Sequence, residues 1–202
     1  MKQLCARLLV IAALGMLLVS AGCITDNADL VITDNICVNV QDTETTGSFT
    51  TFTVVDDFKD QLVKKLAAYN KGPKDLKSIH MVGASFKALK VTPHDWTVTA
   101  DVNIARQDTP GGGYDDGPAP FVSFTDQSLM ALKGQPTRAN LDASGVQVVD
   151  NALAALLNGE DPRMVLVVDN SSVTPTPSGS DPMSFTLQAC VRFQAVVAKT
   201  NK

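Results

Sequence analysis

The sequence predicts an α+β domain, with about seven strands in a mainly antiparallel, β-sandwich-like arrangement and two amphipathic helices. Segments rich in Val, Ile, Thr and Phe recur along the chain, and these residue types fit a pleated strand. Two other segments repeat apolar residues every three or four positions, which is the period of a helix. The strand segments follow one another in runs instead of alternating with helices, and this order favours antiparallel pairing.

The first half of the domain is expected to contain four strands and one helix. Strands are predicted at 30–40, 48–54, 78–91 and 95–106. After the second strand, Thr53 is expected to cap a helix through a capping box with Asp56, and Gly72-Pro73 to stop it. The apolar stripe of this helix comprises Val55, Phe58, Leu62, Leu66 and Tyr69.

Strict alternation is clearest in the fourth predicted strand. The apolar positions of this strand are Trp96, Val98, Ala100, Val102 and Ile104. The residues between them are polar, so the strand should have one buried and one solvated face.

The second half begins with a predicted loop at 107–120, a short strand at 121–124 and a helical turn at 125–132. Ser144 is the expected cap of a second helix, which Asn158-Gly159 ends. Strands at 163–168 and 184–199 follow, separated by an extended loop whose prolines disfavour helix. The expected inward residues of the second helix are Val146, Val149, Leu153, Leu156 and Leu157.

Residues 1–22 have the three-part layout of a secretory signal peptide. Lys2 and Arg7 supply positive charge, residues 8–19 are apolar, and Ser20-Ala21-Gly22 are small. The apolar run is shorter than the ~20 residues that a membrane-spanning helix needs. The alternative interpretation is a buried helix at the N-terminus of the core.

The small residues lead directly into Cys23, and the stretch LLVSAGC resembles the lipobox of bacterial lipoproteins. Ser20 stands where that family usually has Leu. The resemblance covers residues 1–23 only. It implies that Cys23 is acylated, with fatty acids such as palmitate, and becomes the new N-terminus at the bacterial cell envelope. Because Ile24 follows, and not Asp, it also implies sorting to the outer membrane. Simple secretion is the alternative.

Charge and length limit the partners of the mature chain. The sequence has 17 basic and 21 acidic residues, and losing two basic residues with segment 1–22 leaves a formal net charge of −6. It has no clustered positive run, so a nucleic-acid partner is not expected. Residues 23–29 are predicted to form a short tether, and residues 30–202 a single domain of ordinary size.

Two cysteines remain after Cys5 leaves with the signal and Cys23 is acylated. Cys37 and Cys190 each share the parity of the polar face of their strand, as a disulfide between neighbouring strands requires. Exported proteins fold in an oxidising compartment. We therefore predict a Cys37–Cys190 disulfide that joins the first strand to the last. Two free buried thiols are the alternative.

The glycine-rich stretch PGGGYDDGPAP is the most distinctive predicted surface loop. Its candidate binding residues are Asp108, Tyr114, Asp115 and Asp116, since carboxylate oxygens are ligands that Ca²⁺ prefers. The stretch lacks the acidic pattern of an EF-hand and the Lys of a phosphate loop, so no metal or cofactor is predicted. A plain hairpin connection is the alternative.

The sequence predicts no catalytic residues. His80 lies in a predicted strand that allows partial burial, and His94 is expected to be a solvated turn residue. The G-x-S-x-G motif of a nucleophile elbow does not occur.

The leading hypothesis is a membrane-anchored envelope lipoprotein whose β-rich domain binds or scaffolds without catalysis. The expected partners are membrane lipid, through Cys23, and an envelope protein. One alternative is a periplasmic or surface enzyme of hydrolase type that uses a histidine with a carboxylate. Another is a subunit of an envelope or surface assembly, for which an exposed strand edge is expected.

Overall fold

The computed structural model describes residues 29–107 and 109–198 of the chain. Within these ranges it has eight strands, two α-helices and a short 3-10 turn at Pro73–Asp75. The strands are β1 (Leu30–Glu44), β2 (Phe49–Val55), β3 (Leu76–Thr92), β4 (Thr97–Arg106), β5 (Asp116–Ser128), β6 (Thr137–Arg138), β7 (Met164–Thr174) and β8 (Met183–Val197). The helices are α1 (Phe58–Ala67) and α2 (Ala143–Leu157).

The strands form two four-stranded antiparallel sheets, which confirms the predicted β-sandwich-like α+β fold. The first sheet has the order β1-β8-β3-β6, and the second sheet has the order β2-β7-β4-β5. Each of the seven predicted strands has a counterpart, and the two-residue β6 is the eighth. Neighbours in a sheet are therefore mostly distant in sequence.

A common hydrophobic core lies between the sheets and beneath both helices. The alternation predicted for β4 is confirmed, because its inward residues from Trp96 to Ile104 are buried. Trp96 is 0% exposed, and its indole Nε1 donates to the Thr92 carbonyl oxygen at 3.0 Å. A buried Trp normally finds such a partner for its polar group.

Helix α1 begins later than the sequence predicts. Thr53 lies in β2 opposite Leu166 of β7, so the prediction that Thr53 caps the helix is wrong. The pairing of β2 with β7 continues to Val55, and the helix starts only after this ladder ends. The buried stripe of Phe58, Leu62 and Leu66 is confirmed, whereas Tyr69 lies beyond the helix and is exposed.

Helix α2 has a different cap from the predicted one. Asp142 has an extended backbone, and its carboxylate accepts hydrogen bonds from the Ser144 backbone N–H at 2.8 Å and the Ser144 hydroxyl at 2.5 Å. These bonds lower the pKa of Asp142. Asp142 is therefore the N-cap residue of α2, and Ser144, the predicted cap, donates hydrogen bonds to it.

The predicted end of α2 at Asn158-Gly159 is confirmed. Gly159 has φ of 82°, and its N–H donates to the Leu156 carbonyl oxygen while Glu160 N–H donates to that of Ala155. This is a Schellman motif. Of the residues predicted to face inward, three are buried, Val146 is half-buried, and Leu157 is exposed.

Close packing of α2 on β5 requires Gly145. A Cβ at this position would lie 2.8 Å from the Phe121 Cα and closer still to the Pro120 carbonyl oxygen. Helix α2 therefore contacts the backbone of β5 directly, and it also packs against β3 and β4. It closes the side of the sandwich between the two sheets.

Three segments that the sequence assigned to loops or turns are partly strand. Strand β5 begins at Asp116 and continues to Ser128, so the loop predicted at 107–120 is shorter and 125–128 is not helical. Strand β7 continues to Thr174, because Val173 pairs with Val98 of β4. Ladder pairing with a neighbouring strand extends each of these segments beyond what composition indicates.

No helix in the two described ranges combines the length and the apolar character that a membrane crossing requires. The predicted signal segment lies outside the described residues, as does the predicted tether apart from Asp29. The Asp29 carboxylate accepts from Lys77 Nζ at 2.7 and 2.9 Å, so the start of β1 is joined to the start of β3.

Candidate functional site

The predicted disulfide is present. Strands β1 and β8 are neighbours, and Cys37 lies directly opposite Cys190 with the two Cα atoms 4.0 Å apart and the Sγ atoms bonded at 2.10 Å. Its position on this pair confirms that the bond joins the first strand to the last.

Helix α1 covers the free edge of β1 at the disulfide. Gln61 Oε1 accepts from the Cys37 backbone N–H at 3.1 Å, and Gln61 Nε2 donates to the Cys37 carbonyl oxygen at 3.0 Å. The amide thereby satisfies both backbone groups that an edge strand would otherwise expose.

Of the four candidate residues in the glycine-rich loop, the structure describes Tyr114, Asp115 and Asp116. Asp108 lies outside the described residues, and Tyr114 is exposed. Asp115 donates its backbone N–H to the Arg106 carbonyl oxygen, and the Asp116 carboxylate accepts from Asn151 Nδ2 of α2 at 2.6 Å. In the described part of the chain, no group of three or more His, Cys, Asp or Glu residues is placed to hold a metal ion.

Both histidines are at the surface. His80 lies exposed in β3, and His94 lies exposed in the bend between β3 and β4. His94 Nε2 is 2.8 Å from Asp181 Oδ2, and its ring centroid is 5.4 Å from that of Trp96. The contact joins the β3–β4 bend to the connection between β7 and β8.

The four described arginines differ in whether an acidic residue pairs with them. Arg106 pairs with Glu160 at 2.7 Å, and Arg163 pairs with Asp56. Within residues 29–107 and 109–198, Arg138 and Arg192 have no hydrogen-bonded or ion-paired partner. Both line the same groove on the outer face of the first sheet.

This arginine groove has a volume of about 640 Å³. Its floor is the outer face of β1, β8 and β3, and its wall is the segment that includes β6 and leads towards α2. It is lined by Thr33, Asp34, Asn35, Val82, Gly83, Ala84, Ser85, Pro136, Arg138, Ala139, Asn140, Leu141 and Arg192.

Sheet register places the two arginines on either side of β3. Arg192 of β8 pairs with Gly83, and Arg138 of β6 pairs with Ser85. The β3 ladder shifts register between Met81 and Gly83, which makes Val82 the extra residue of a β-bulge. Asp150 Oδ1 of α2 accepts from the Met81 N–H at 2.6 Å, so the bulge is held by the helix.

The groove is positive although the chain is acidic. Among the described residues that line it, Asp34 alone is acidic, and its carboxylate accepts from Lys65 Nζ of α1 at 2.9 Å. Of the charged residues that line the groove, Arg138 and Arg192 are the two whose side chains have no such partner among the described residues.

The cavity between the two sheets is a weaker candidate. Its volume is about 50 Å³, and apolar side chains together with Gln127 and Asn170 line it. An apolar cavity of about 150 Å³ can hold benzene, so this smaller cavity has no room for a ligand of several carbon atoms.

Sequence reasoning missed the arginine groove. The residue pattern assigns a role to neither Arg192 nor Arg138. The two residues are 54 positions apart in the numbering. Only the strand order β8-β3-β6 brings them together.

Comparisons with known proteins assign no family. No model of a protein family matches the chain, and no curated protein gives a significant match. A structure of Desmodium yellow mottle tymovirus is 10% identical with a TM-score of 0.36, covering 88% of this chain and 93% of that one. A virus-like particle of the giant freshwater prawn Macrobrachium rosenbergii nodavirus is 8% identical with a TM-score of 0.35, covering 88% and 99%. The decameric BFDV capsid protein is 9% identical with a TM-score of 0.35, covering 82% and 99%.

Proposed function

We propose that this chain is an exported lipoprotein, anchored to the bacterial outer membrane through acylated Cys23, whose β-sandwich is a non-catalytic binding domain. The observation that carries the proposal is the Cys37–Cys190 disulfide. Stable disulfides are typical of oxidising compartments outside the cytoplasm and rare within it. The bond therefore supports the export that the signal-like segment and LLVSAGC predict.

The position of β1 limits how far the domain can lie from a membrane that holds Cys23. Six residues separate Cys23 from Leu30, and a fully extended chain spans ~3.3–3.6 Å per residue, so the tether reaches roughly 20–25 Å. Asp29 and Lys77 fix where the tether meets the first sheet. An acylated Cys23 would hold the end of the sandwich that carries Leu30 close to the bilayer.

The arginine groove supports a binding role for the domain. It lies around Asn35, five residues beyond Leu30, which is about 17 Å along a strand. A ligand there would be held within several tens of ångströms of the membrane surface. The groove contributes charge and shape but no histidine or cysteine thiol, and this composition suits recognition better than catalysis.

Replacement of the lipobox cysteine tests the anchor. We expect Cys23→Ala to abolish incorporation of a labelled fatty acid and to release the protein from the membrane fraction. Cys5→Ala is the matched control, because Cys5 lies within the predicted signal segment and should leave labelling unchanged. A Cys23→Ala protein that still carries label and still sediments with membranes would refute the proposal.

A second candidate function, a subunit of an envelope assembly, is favoured by strand β2. It lies at the end of the second sheet, β7 is its one partner strand among the described residues, and Phe52 is 60% exposed on it. An uncovered apolar edge strand is a template for pairing with another chain. Crosslinking of intact cells tests this candidate: a crosslinked product that Phe52→Lys removes supports it, and migration of the wild-type protein alone contradicts it.

A further inference from the structure

We propose that the arginine groove binds the oxyanion group, carboxylate or phosphate, of a small organic molecule, held jointly by Arg138 and Arg192 above Gly83. This inference rests on the binding role proposed above and names its ligand class. Catalysis is not part of it.

Guanidinium chemistry selects the ligand. The planar fork of Arg matches the two oxygens of a carboxylate or phosphate and forms paired, charge-assisted hydrogen bonds with them. Glu160 and Asp56 supply such oxygens to the other two described arginines. Arg138 and Arg192 lack them among residues 29–107 and 109–198, in a chain with more acidic than basic residues. The oxyanion group of a ligand would form these paired hydrogen bonds with Arg138 and Arg192.

The register lets both arginines reach one ligand. Arg138 and Arg192 flank β3 on opposite sides, two strand spacings apart and offset by two residues, so their Cα atoms are roughly 12 Å apart. Residues paired across a ladder share a face of the sheet. The two long side chains therefore start from the same outer face, and they can converge over the strand between them.

Gly83 keeps the space between the arginines open. A Cβ at this position would meet no heavy atom within 4 Å, so at Gly83 the floor of the groove is bare backbone with open space above it. The adjacent bulge turns Val82 outward, where it is 47% exposed. Bulges are frequent beside binding sites, where they redirect side chains, and Asp150 fixes this one.

The remaining lining residues suit the organic body of a molecule that carries the oxyanion group. Val82 and Leu141 add apolar surface on the floor and wall, while Asn35 and Asn140 add amide groups. Ligand sites commonly combine apolar surface with a few convergent polar groups. The volume of about 640 Å³ is sufficient for a molecule of several carbon atoms.

Titration of the purified, detergent-solubilised full chain tests the proposal. The probes are inorganic phosphate, glycerol 3-phosphate and succinate, each followed by NMR at low ionic strength. We expect saturable shifts of amide signals from β1, β3 and β8 around Asn35, Gly83 and Arg192. Preference for glycerol 3-phosphate over inorganic phosphate would indicate a lipid headgroup as the source, and preference for succinate a carboxylate metabolite.

Variants separate the groove from general charge effects. Arg138→Ala and Arg192→Ala should each weaken binding by about tenfold, the usual size of one lost charge-assisted hydrogen-bonded contact. Lys64→Ala, which removes one positive charge from the exposed face of α1, should leave binding unchanged. Gly83→Val should abolish binding without unfolding the sheet, since its side chain enters open space.

The proposal is overturned if none of the three probes saturates, or if binding survives in the protein that carries both Arg138→Ala and Arg192→Ala. Binding is measured on purified protein, so a negative result here leaves the Cys23 anchor untouched. Retention of the fatty-acid label by the Cys23→Ala protein would refute the anchor and would leave a positive titration standing.

Discussion

The outer faces of the two sheets differ in whether their charged side chains have hydrogen-bond partners. On the second sheet, a row of paired residues crosses all four strands: Thr50, Asp169, Asp101 and Ser123. Asp169 accepts from the Thr50 hydroxyl at 2.8 Å, and Asp101 accepts from the Ser123 hydroxyl at 2.6 Å. On the first sheet, Arg192 stands between Asn35 and Gly83 with no such partner in the described chain.

This difference separates charges that stabilise the fold from charges that are available to a ligand. Two aspartates directly opposite each other repel, and the neighbouring hydroxyls offset that repulsion. The second sheet therefore satisfies its own carboxylates. The first sheet leaves two guanidinium groups open, and a protein gains nothing in stability from such a pair until an anion binds.

The largest expected effect concerns the Cys37–Cys190 disulfide, which joins the neighbouring strands β1 and β8 of the first sheet. Replacing Cys37 and Cys190 by Ala opens a loop with a sequence separation of 153. Loss of a native disulfide typically costs about 2–5 kcal/mol of unfolding free energy, and the loop-entropy model gives about 5 kcal/mol for a loop of this length. Urea unfolding measures the change. Gln188→Ala, on the same face of β8, is the control and should cost less than about 0.5 kcal/mol.

A double cysteine variant as stable as the wild type would show that hydrogen bonding in the β1–β8 ladder is sufficient to hold the edge strand. The cover that Gln61 gives to the backbone of Cys37 would then be the feature that fixes this edge.

A smaller effect is expected from replacing one polar residue on the outer face of each sheet, and the two losses of stability can be compared. Ser123→Ala removes the hydroxyl that bonds Asp101 and should lower the unfolding free energy by about 1 kcal/mol. Arg192→Ala removes an exposed side chain without a partner in the described chain and should change it by less than about 0.5 kcal/mol. Both values come from denaturant unfolding at the same pH. A larger loss for Arg192→Ala than for Ser123→Ala would assign the arginine a structural role.

The smallest effect is a pH dependence at the start of α2. The Ser144 hydroxyl and backbone N–H lower the pKa of Asp142 in the folded chain below its ordinary value of 3.8. A lowered folded pKa stabilises the protein above the unfolded pKa, and this contribution disappears as the pH falls through the folded pKa. The difference in melting temperature between wild type and Asp142→Ala should therefore be present at neutral pH and shrink below about pH 4.

Asp142→Asn serves as the control for this effect, because Asn is also a good N-cap but does not titrate in this range. Because neither variant titrates at this position, the difference in melting temperature between Asp142→Asn and Asp142→Ala should stay constant as the pH falls. A wild-type advantage over Asp142→Ala that stays constant down to pH 2 would contradict the assignment of the cap.

Features that depend on local pattern were predictable from the sequence. Alternation from Trp96 to Ile104 identified a half-buried strand, and the shared parity of Cys37 and Cys190 identified the disulfide. Asn158-Gly159 identified the end of α2, since a left-handed residue after a helix favours Gly.

Features that depend on strand pairing were not predictable. Thr53 has the sequence signature of a helix cap, but the hydrogen-bonded ladder with β7 includes it in β2. The groove likewise requires β8 and β6 to flank β3, although these strands are far apart in the chain. No residue spacing encodes that order, and so no motif reveals the two arginines.

Anomalous diffraction from a crystal of the protein soaked in selenate shows whether an anion binds in the arginine groove, because selenate is an oxyanion of phosphate-like shape. We expect an anomalous peak above Gly83, between the guanidinium groups of Arg138 and Arg192, that is lost when both arginines are replaced by Ala. A groove without a peak in the wild-type crystal, or the same peak in the double variant, would contradict this expectation.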